Sequence, residues 1–206
     1  MPRPGSTCGV LPEMKRSLFL LVFAFALALS ACGTGSESKI SASGLKGLVL
    51  RQSDLKGPFS AVVDGPTARL DVQGTTRSDL HRFDRRGGWV VRLHRPGTKS
   101  TLGALVVAST VDVFGGSGGA TKDIDLFRAE LSRIPGSQPV SLPKLGDEAA
   151  GVTSIQPGGV PVRSFTIAWR ERNAVASVTA NGFEGKLSLG DVLRLAQRQE
   201  RKLAHA

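Results

Sequence analysis

The chain has 206 residues, 40% of them hydrophobic and 21% charged, with a formal net charge of +10. That balance is ordinary for one or two globular domains and excludes a chain disordered throughout. Its only long apolar run, Leu18 to Leu29, is shorter than the roughly 20 residues that a membrane-spanning helix needs.

Lys15 and Arg16 precede this run and Ser30 and Ala31 follow it, the charged, apolar, small-residue order of an export signal. Nothing in Met1 to Glu13 fits a signal, whereas Met14-Lys15-Arg16 begins one, so Met14 is the expected start. The only two cysteines, Cys8 and Cys32, lie at or before the expected cut, leaving an exported domain no thiol to pair. The 174 residues after Cys32 are enough to bury a core without disulfides.

Leu29-Ser30-Ala31-Cys32 resembles the lipobox of bacterial lipoproteins. The resemblance implies a diacylglyceryl group on Cys32, cleavage just before it, and a protein held at the extracytoplasmic face of the cell membrane. Two or more acyl chains, at about 0.8 kcal/mol per buried CH₂, make a stable anchor. The residue pattern alone also fits a secretory signal with an incidental cysteine, or an uncleaved anchor. The expected division is an upstream extension and signal peptide over 1–31, a lipidated cysteine and tether over 32–47, and a single domain over 48–206.

From Gly33 to Gly47, nine of fifteen residues are Gly, Ser or Thr, a composition that reads as flexible coil with an r.m.s. reach of about 20 Å. Beyond Leu48, alternation in "FSAVV" and "ARLDV" predicts two strands. "SDLHRFDRRGG" reads as a short helix with Ser78 as N-cap and Gly87-Gly88 as its stop. Trp89, Val91 and Leu93 then share one face of a half-buried strand. "LGALVVASTVDVF" is apolar on both parities as far as Val111 and reads as a central strand covered on both sides. A helix is expected from about Thr121 to Ile134, because Ile124, Phe127, Leu131 and Ile134 recur at helical spacing before Pro135-Gly136.

Further strands are expected at Ala149 to Ile155, Val162 to Arg170 and Ala174 to Asn181, the last two joined as a hairpin through Glu171 to Asn173. The final helix runs from Leu189 to about Leu203 behind a Ser188/Asp191 capping box, with Leu189, Val192, Leu193, Ala196 and Leu203 on one face. The fold class is therefore α+β, a mainly antiparallel sheet backed by two amphipathic helices. Val107-Ala108-Ser109 and Val175-Ala176-Ser177 occupy matching places before a glycine loop and a helix, which suggests a twofold β-β-α pseudo-repeat. The combination of "LGDEA", the strand pair containing "WRERNAVASV" and the terminal helix resembles uncharacterised secreted or lipid-anchored actinobacterial proteins, some of them similar to the PsbP-like α/β/α sandwich. That resemblance carries no catalytic residue to any position.

Three kinds of chemistry can be weighed against the residues present. Gly115 to Gly119, "GGSGG", matches the nucleophile-elbow pattern and offers Ser117, but the only later histidine is His205, and 87 residues leave little room for the rest of a hydrolase fold. A serine hydrolase is therefore the alternative, and a turn is the reading. The same loop lacks the Gly-Lys-Ser/Thr run of a phosphate loop and the final glycine of a dinucleotide fingerprint. Three scattered histidines give no zinc spacing, and Asp123 and Asp125 read as first-turn acids that favour the helix dipole. No metal and no cofactor are expected.

Charge is more informative. Three of the 27 Lys and Arg and one of the 17 Asp and Glu precede Cys32, leaving 24 against 16. "HRFDRR" and "RLHRPGTK" concentrate Arg82, Arg85, Arg86, Arg92, Arg95 and Lys99 into a candidate surface for anionic lipid or an acidic envelope polymer. No nucleic acid is expected, since Phe83 and Trp89 within that stretch complete no recognised motif. Trp89 and Trp169 read as core; either one exposed in an apolar groove would point to a lipid or small hydrophobic ligand. The functional expectation is a cell-envelope lipoprotein whose domain binds or senses an unknown ligand or protein partner without catalysis, with an exported lipid carrier as the other alternative.

Overall fold

The computed structural model describes residues 38–67 and 79–206, and Ser38–Ala206 form one compact unit. Among the described residues seven strands form one antiparallel sheet: β1 (Ser60–Pro66), β2 (Arg85–His94), β3 (Val106–Phe114), β4 (Gln138–Pro139), β5 (Glu148–Gln156), β6 (Val162–Glu171) and β7 (Ala174–Phe183). Their spatial order is β1-β2-β3-β7-β6-β5-β4. Three helices, α1 (Leu45–Leu48), α2 (Ser117–Ser132) and α3 (Leu189–Ala204), pack on the sheet. This is the expected α+β architecture.

Side-chain alternation divides the core in two. Phe165, Ile167 and Trp169 of β6, Ala176 and Val178 of β7, and Val107 and Val111 of β3 face Val192, Ala196 and Leu203 of α3, together with Leu45, Val49 and Leu50. On the other face Phe114, Ala168 and Val175 meet Ala120 and Ile124 of α2, with Phe127 against them. Each large apolar side chain so buried contributes roughly 1.5–3 kcal/mol. The central strands are covered on both faces, which explains why β3 and β7 carry few polar residues.

The β6–β7 hairpin closes through Arg172-Asn173, since Glu171 pairs with Ala174. Arg172 takes the left-handed conformation (φ 53°), and the buried Asn173 amide is fully used. Its Nδ2 donates to Phe114 and Ile40 carbonyls at 2.8 and 3.1 Å, and its Oδ1 accepts the Ile40 N–H at 2.8 Å. Helix α3 begins with the expected reciprocal cap: Asp191 N–H donates to Ser188 Oγ at 3.2 Å, and Ser188 N–H donates to Asp191 Oδ2 at 3.0 Å.

Four expectations are corrected. Residues 38–47 are no free tether: Ile40 and Leu45 are buried in the core and Leu45–Leu48 are helical, so the folded unit begins earlier than Leu48. The stretch expected as a helix near residue 80 is a single tight turn at Arg82–Asp84, with Phe83 and Asp84 at φ 53° and 62°, and Gly87 and Gly88 lie inside β2 rather than ending a helix. Ser78 and the strand expected at "ARLDV" fall outside the described residues. Helix α2 starts at Ser117 and ends at Ser132, leaving Ile134 beyond it and 40% exposed.

The fourth correction concerns the pseudo-repeat. A twofold axis exchanging the antiparallel neighbours β3 and β7 must stand perpendicular to the sheet, so it maps each face onto itself. Helices α2 and α3 lie on opposite faces, and the matched residues Val107 and Val175 point to opposite cores. The strands do repeat about the β3–β7 seam, β1-β2-β3 against β7-β6-β5, while the helix faces and the residue match do not.

Candidate functional site

An apolar groove of about 550 Å³ opens on the α3 face, at the end of the sheet where β2 leaves and β3 enters. Its floor is Phe59, Ala104, Val107 and Leu187, all buried, and Leu55 and Leu195 line it as half-buried side chains. Leu102 also lines it and stands 70% exposed. The size falls in the range of small-molecule sites, roughly 300–1,000 Å³.

Three chain segments build it. The β2–β3 connection is tied to the β7–α3 loop by Gly103 N–H to the Lys186 carbonyl at 2.7 Å, and Leu105 N–H to the Asn181 carbonyl at 2.7 Å holds it to β7. Gly103 needs φ 76° to make this turn. The segment before β1 bends at Gly57 (φ 107°), where a Cβ would lie 3.0 Å from Arg95 Nη1. Arg95 itself donates from Nε to the Ala104 carbonyl at 2.6 Å and from Nη2 to the Leu102 carbonyl, and its guanidinium lies 5.2 Å from the centre of the Phe59 ring.

Cations dominate the groove's charge: Lys56, Arg95, Lys186, Arg194 and Arg198 against Asp54 and Asp191. Both acids are already engaged. Asp54 Oδ2 pairs with Lys202 Nζ at 2.5 Å and accepts the Arg51 N–H at 2.7 Å. Asp191 pairs with Arg194 at 2.5 Å; burial raises its pKa, but the Ser188 hydroxyl and N–H and the Arg194 charge outweigh that and hold it below the ordinary carboxylate value. Among the described residues Lys56, Arg95 and Lys186 have no acidic partner.

The basic stretch expected from the sequence is taken apart by the fold. Arg82 and Arg85 are 4% and 8% exposed, so they are removed from the candidate anionic surface. Arg82 binds Asp112 at 2.8 Å and Asp123 at 2.7 Å, and Arg85 binds Asp112 at 2.8 Å, with Thr67 donating to Asp112 at 3.1 Å. Burial forces this pairing, because an unpaired guanidinium in the interior costs several kcal/mol. Because α2 begins at Ser117 with no acid in its first turn, neither Asp123 nor Asp125 is the first-turn acid expected: Asp123 is a core ligand of Arg82, and Asp125 pairs with Arg128 at 2.6 Å. Arg86 is exposed and paired with Asp84 at 2.8 Å, Arg92 and Lys99 are exposed, and Arg95 alone of the six enters the groove. The groove's other cations, on α3 and beside it, were missed, although Arg194 and Arg198 already stand at i and i+4 opposite the apolar face of α3.

Trp169 is fully buried, as expected; Trp89 is half-buried and donates from Nε1 to Asp64 Oδ1 at 2.7 Å. That bond, with help from Arg51, holds Asp64 below the ordinary carboxylate range. Ser117 is the exposed first residue of α2 and makes no hydrogen bond to a histidine among the described residues. No group of three or more His, Cys, Asp or Glu converges as a metal set among the described residues, and no described helix is long and apolar enough to cross a membrane. Cys32 lies outside the described residues.

No protein-family model matches the chain, and no curated protein matches it. Among solved structures, the extracellular domain of PknH from Mycobacterium tuberculosis matches with a TM-score of 0.56 at 12% identity, over 82% of this chain and 99% of that domain. At this identity the likeness is one of fold.

Proposed function

We propose that this is a lipid-anchored protein of the extracytoplasmic membrane face, held there through Cys32, whose domain binds a ligand in the α3-side groove without catalysis of its own. One observation carries the binding role: an apolar groove of about 550 Å³ that presents a half-buried arginine, Arg95, with no acidic partner among the described residues. Folding leaves charge and apolar surface uncompensated there, and a ligand completes both. The export reading draws support from the signal-like order of residues 15–32 and from a fold shared with a domain that is extracellular in its own protein.

Both halves are testable in cells. Cys32→Ser is expected to abolish acylation and release the protein from the membrane fraction; unchanged sedimentation with vesicles overturns the anchor. A photoreactive phenylalanine in place of Leu102 is expected to give an adduct of discrete mass, whereas the same probe at Leu80, outside the groove, gives none. Equal labelling at both positions, or none at Leu102, overturns the groove as the binding site.

A further inference from the structure

The chemistry of the groove defines the class of its ligand, an inference that rests on the binding role proposed above. A neutral apolar ligand leaves the cations uncompensated, and a small polar anion leaves the apolar floor wet. Arg95 is the informative residue. Two backbone carbonyls and the Phe59 ring fix its guanidinium in place, and none of the three supplies a formal negative charge. Nη1, against Gly57, is the guanidinium nitrogen left without a hydrogen bond among the described residues, on a side chain that lines the groove. Lys186 also lines the groove, next to Leu187 of the floor. The nearby acids cannot serve as counter-charges for these two, because Asp54 and Asp191 are engaged by Lys202 and Arg194.

We infer that the groove binds a monomeric single-chain anionic amphiphile. Its acidic head lies at Arg95 and Lys186, and its hydrocarbon lies along Phe59, Val107, Leu187 and Leu195. A guanidinium held in a half-apolar setting makes a strong charge-assisted hydrogen bond to a carboxylate or phosphate. The groove, about 550 Å³ and open on one side, has room for one such chain. Leu102, exposed at 70%, is covered when the chain is in place.

The test uses the full chain carrying Cys32→Ser, titrated calorimetrically with decanoate, decanol and acetate, each below the concentration at which it aggregates. Decanoate is expected to bind saturably at one site, decanol at least about tenfold more weakly, and acetate not measurably; tenfold corresponds to about 1.4 kcal/mol. Arg95→Gln is expected to remove the preference for decanoate over decanol. Because Arg95 also holds the β2–β3 connection, Leu102→Asp serves as the second variant: its site is exposed, so folding is preserved, and the new carboxylate is expected to weaken decanoate about tenfold or more. Decanoate binding no better than decanol, or binding indifferent to Leu102→Asp, overturns the inference. So does attachment to anionic phosphatidylglycerol vesicles without saturable decanoate binding. A discrete adduct at Leu102 combined with absent decanoate binding overturns the ligand class and leaves the binding role standing, whereas absence of any adduct removes the role itself.

Discussion

Two sets of arginines lie on opposite faces of one sheet and have opposite fates. On the α2 face Arg82 and Arg85 are buried and share Asp112, with Asp123 completing the set, so two cations meet two carboxylates out of water. On the α3 face Arg95 is held by two carbonyls and the Phe59 ring, with no carboxylate, and the groove's Lys56 and Lys186 have no acid among the described residues either. The difference lies in which carboxylate the fold brings within reach, not in residue type or in distance along the chain, since Arg85 and Arg95 belong to the same basic stretch. A cation paired in the interior holds the structure together, while a half-buried cation left without an anion is available to a ligand.

The sharpest way to break this contrast is to remove the acid that both buried arginines share. Asp112→Ala leaves the buried Arg85 with no carboxylate and Arg82 with Asp123 alone, and its expected cost is about 3–5 kcal/mol, measured by urea unfolding. The matched change on the other face, Lys186→Gln, is expected to stay within about 0.5 kcal/mol, because that side chain is exposed and has no partner to lose. Similar losses at the two positions would mean that the pairing distinction has no energetic content.

A smaller effect separates polar from ionic contributions on the α3 side. Gln199 is fully buried on the core face of α3, where the sequence offers only a polar residue in an apolar row. The Leu50 N–H donates to Ser109 Oγ at 3.0 Å, Ser109 donates to Gln199 Oε1 at 2.7 Å, and Gln199 Nε2 donates to the Thr110 carbonyl at 2.8 Å. This chain joins the N-terminal segment, β3 and α3. Gln199→Ala breaks two of its bonds and leaves a cavity, with an expected loss of about 2–3 kcal/mol by the same measurement. A loss below about 1 kcal/mol would show that the apolar contacts of Val192, Ala196 and Leu203 fix α3 by themselves.

These residues also show what the sequence can and cannot reveal. Strands β5, β6 and β7 and helix α3 were legible because alternation, turn residues and a capping box act between near neighbours. The buried charges were misread as surface cations, although a signal was there: Asp112 interrupts an apolar central strand, and an acid in such a place requires a cation. Which cation answers it depends on a chain reversal, as Arg85 and Asp112 are 27 positions apart. Ile40 and Leu45 were passed over because the surrounding Gly and Ser dominate the local composition, although two apolar residues suffice to dock a segment when a core is waiting. The groove was not legible at all. Its walls come from residues 54–59, 95–107 and 186–198, and nothing local to any of them announces the others.

The smallest expected effect comes from a third charge arrangement, at the β6–β7 turn, where acids gather instead of cations. Burial, and then the nearby Asp147 carboxylate, raise the pKa of Glu171 above its ordinary value; Arg172 at 3.8 Å and Arg170 oppose this and are outweighed. A carboxyl whose folded pKa exceeds its unfolded value binds its proton more tightly when folded. Its ionised form therefore costs stability above the folded pKa, and that cost is lifted as the pH falls through the raised value toward 4.5. Glu171→Gln is accordingly expected to melt at a higher temperature than the parent chain at pH 7, with the gap narrowing steadily on acidification until it closes near pH 4.5. A variant that melts lower at neutral pH would mean that the Arg172 contact prevails over burial, and that charge at this turn stabilises the fold as it does around Asp112.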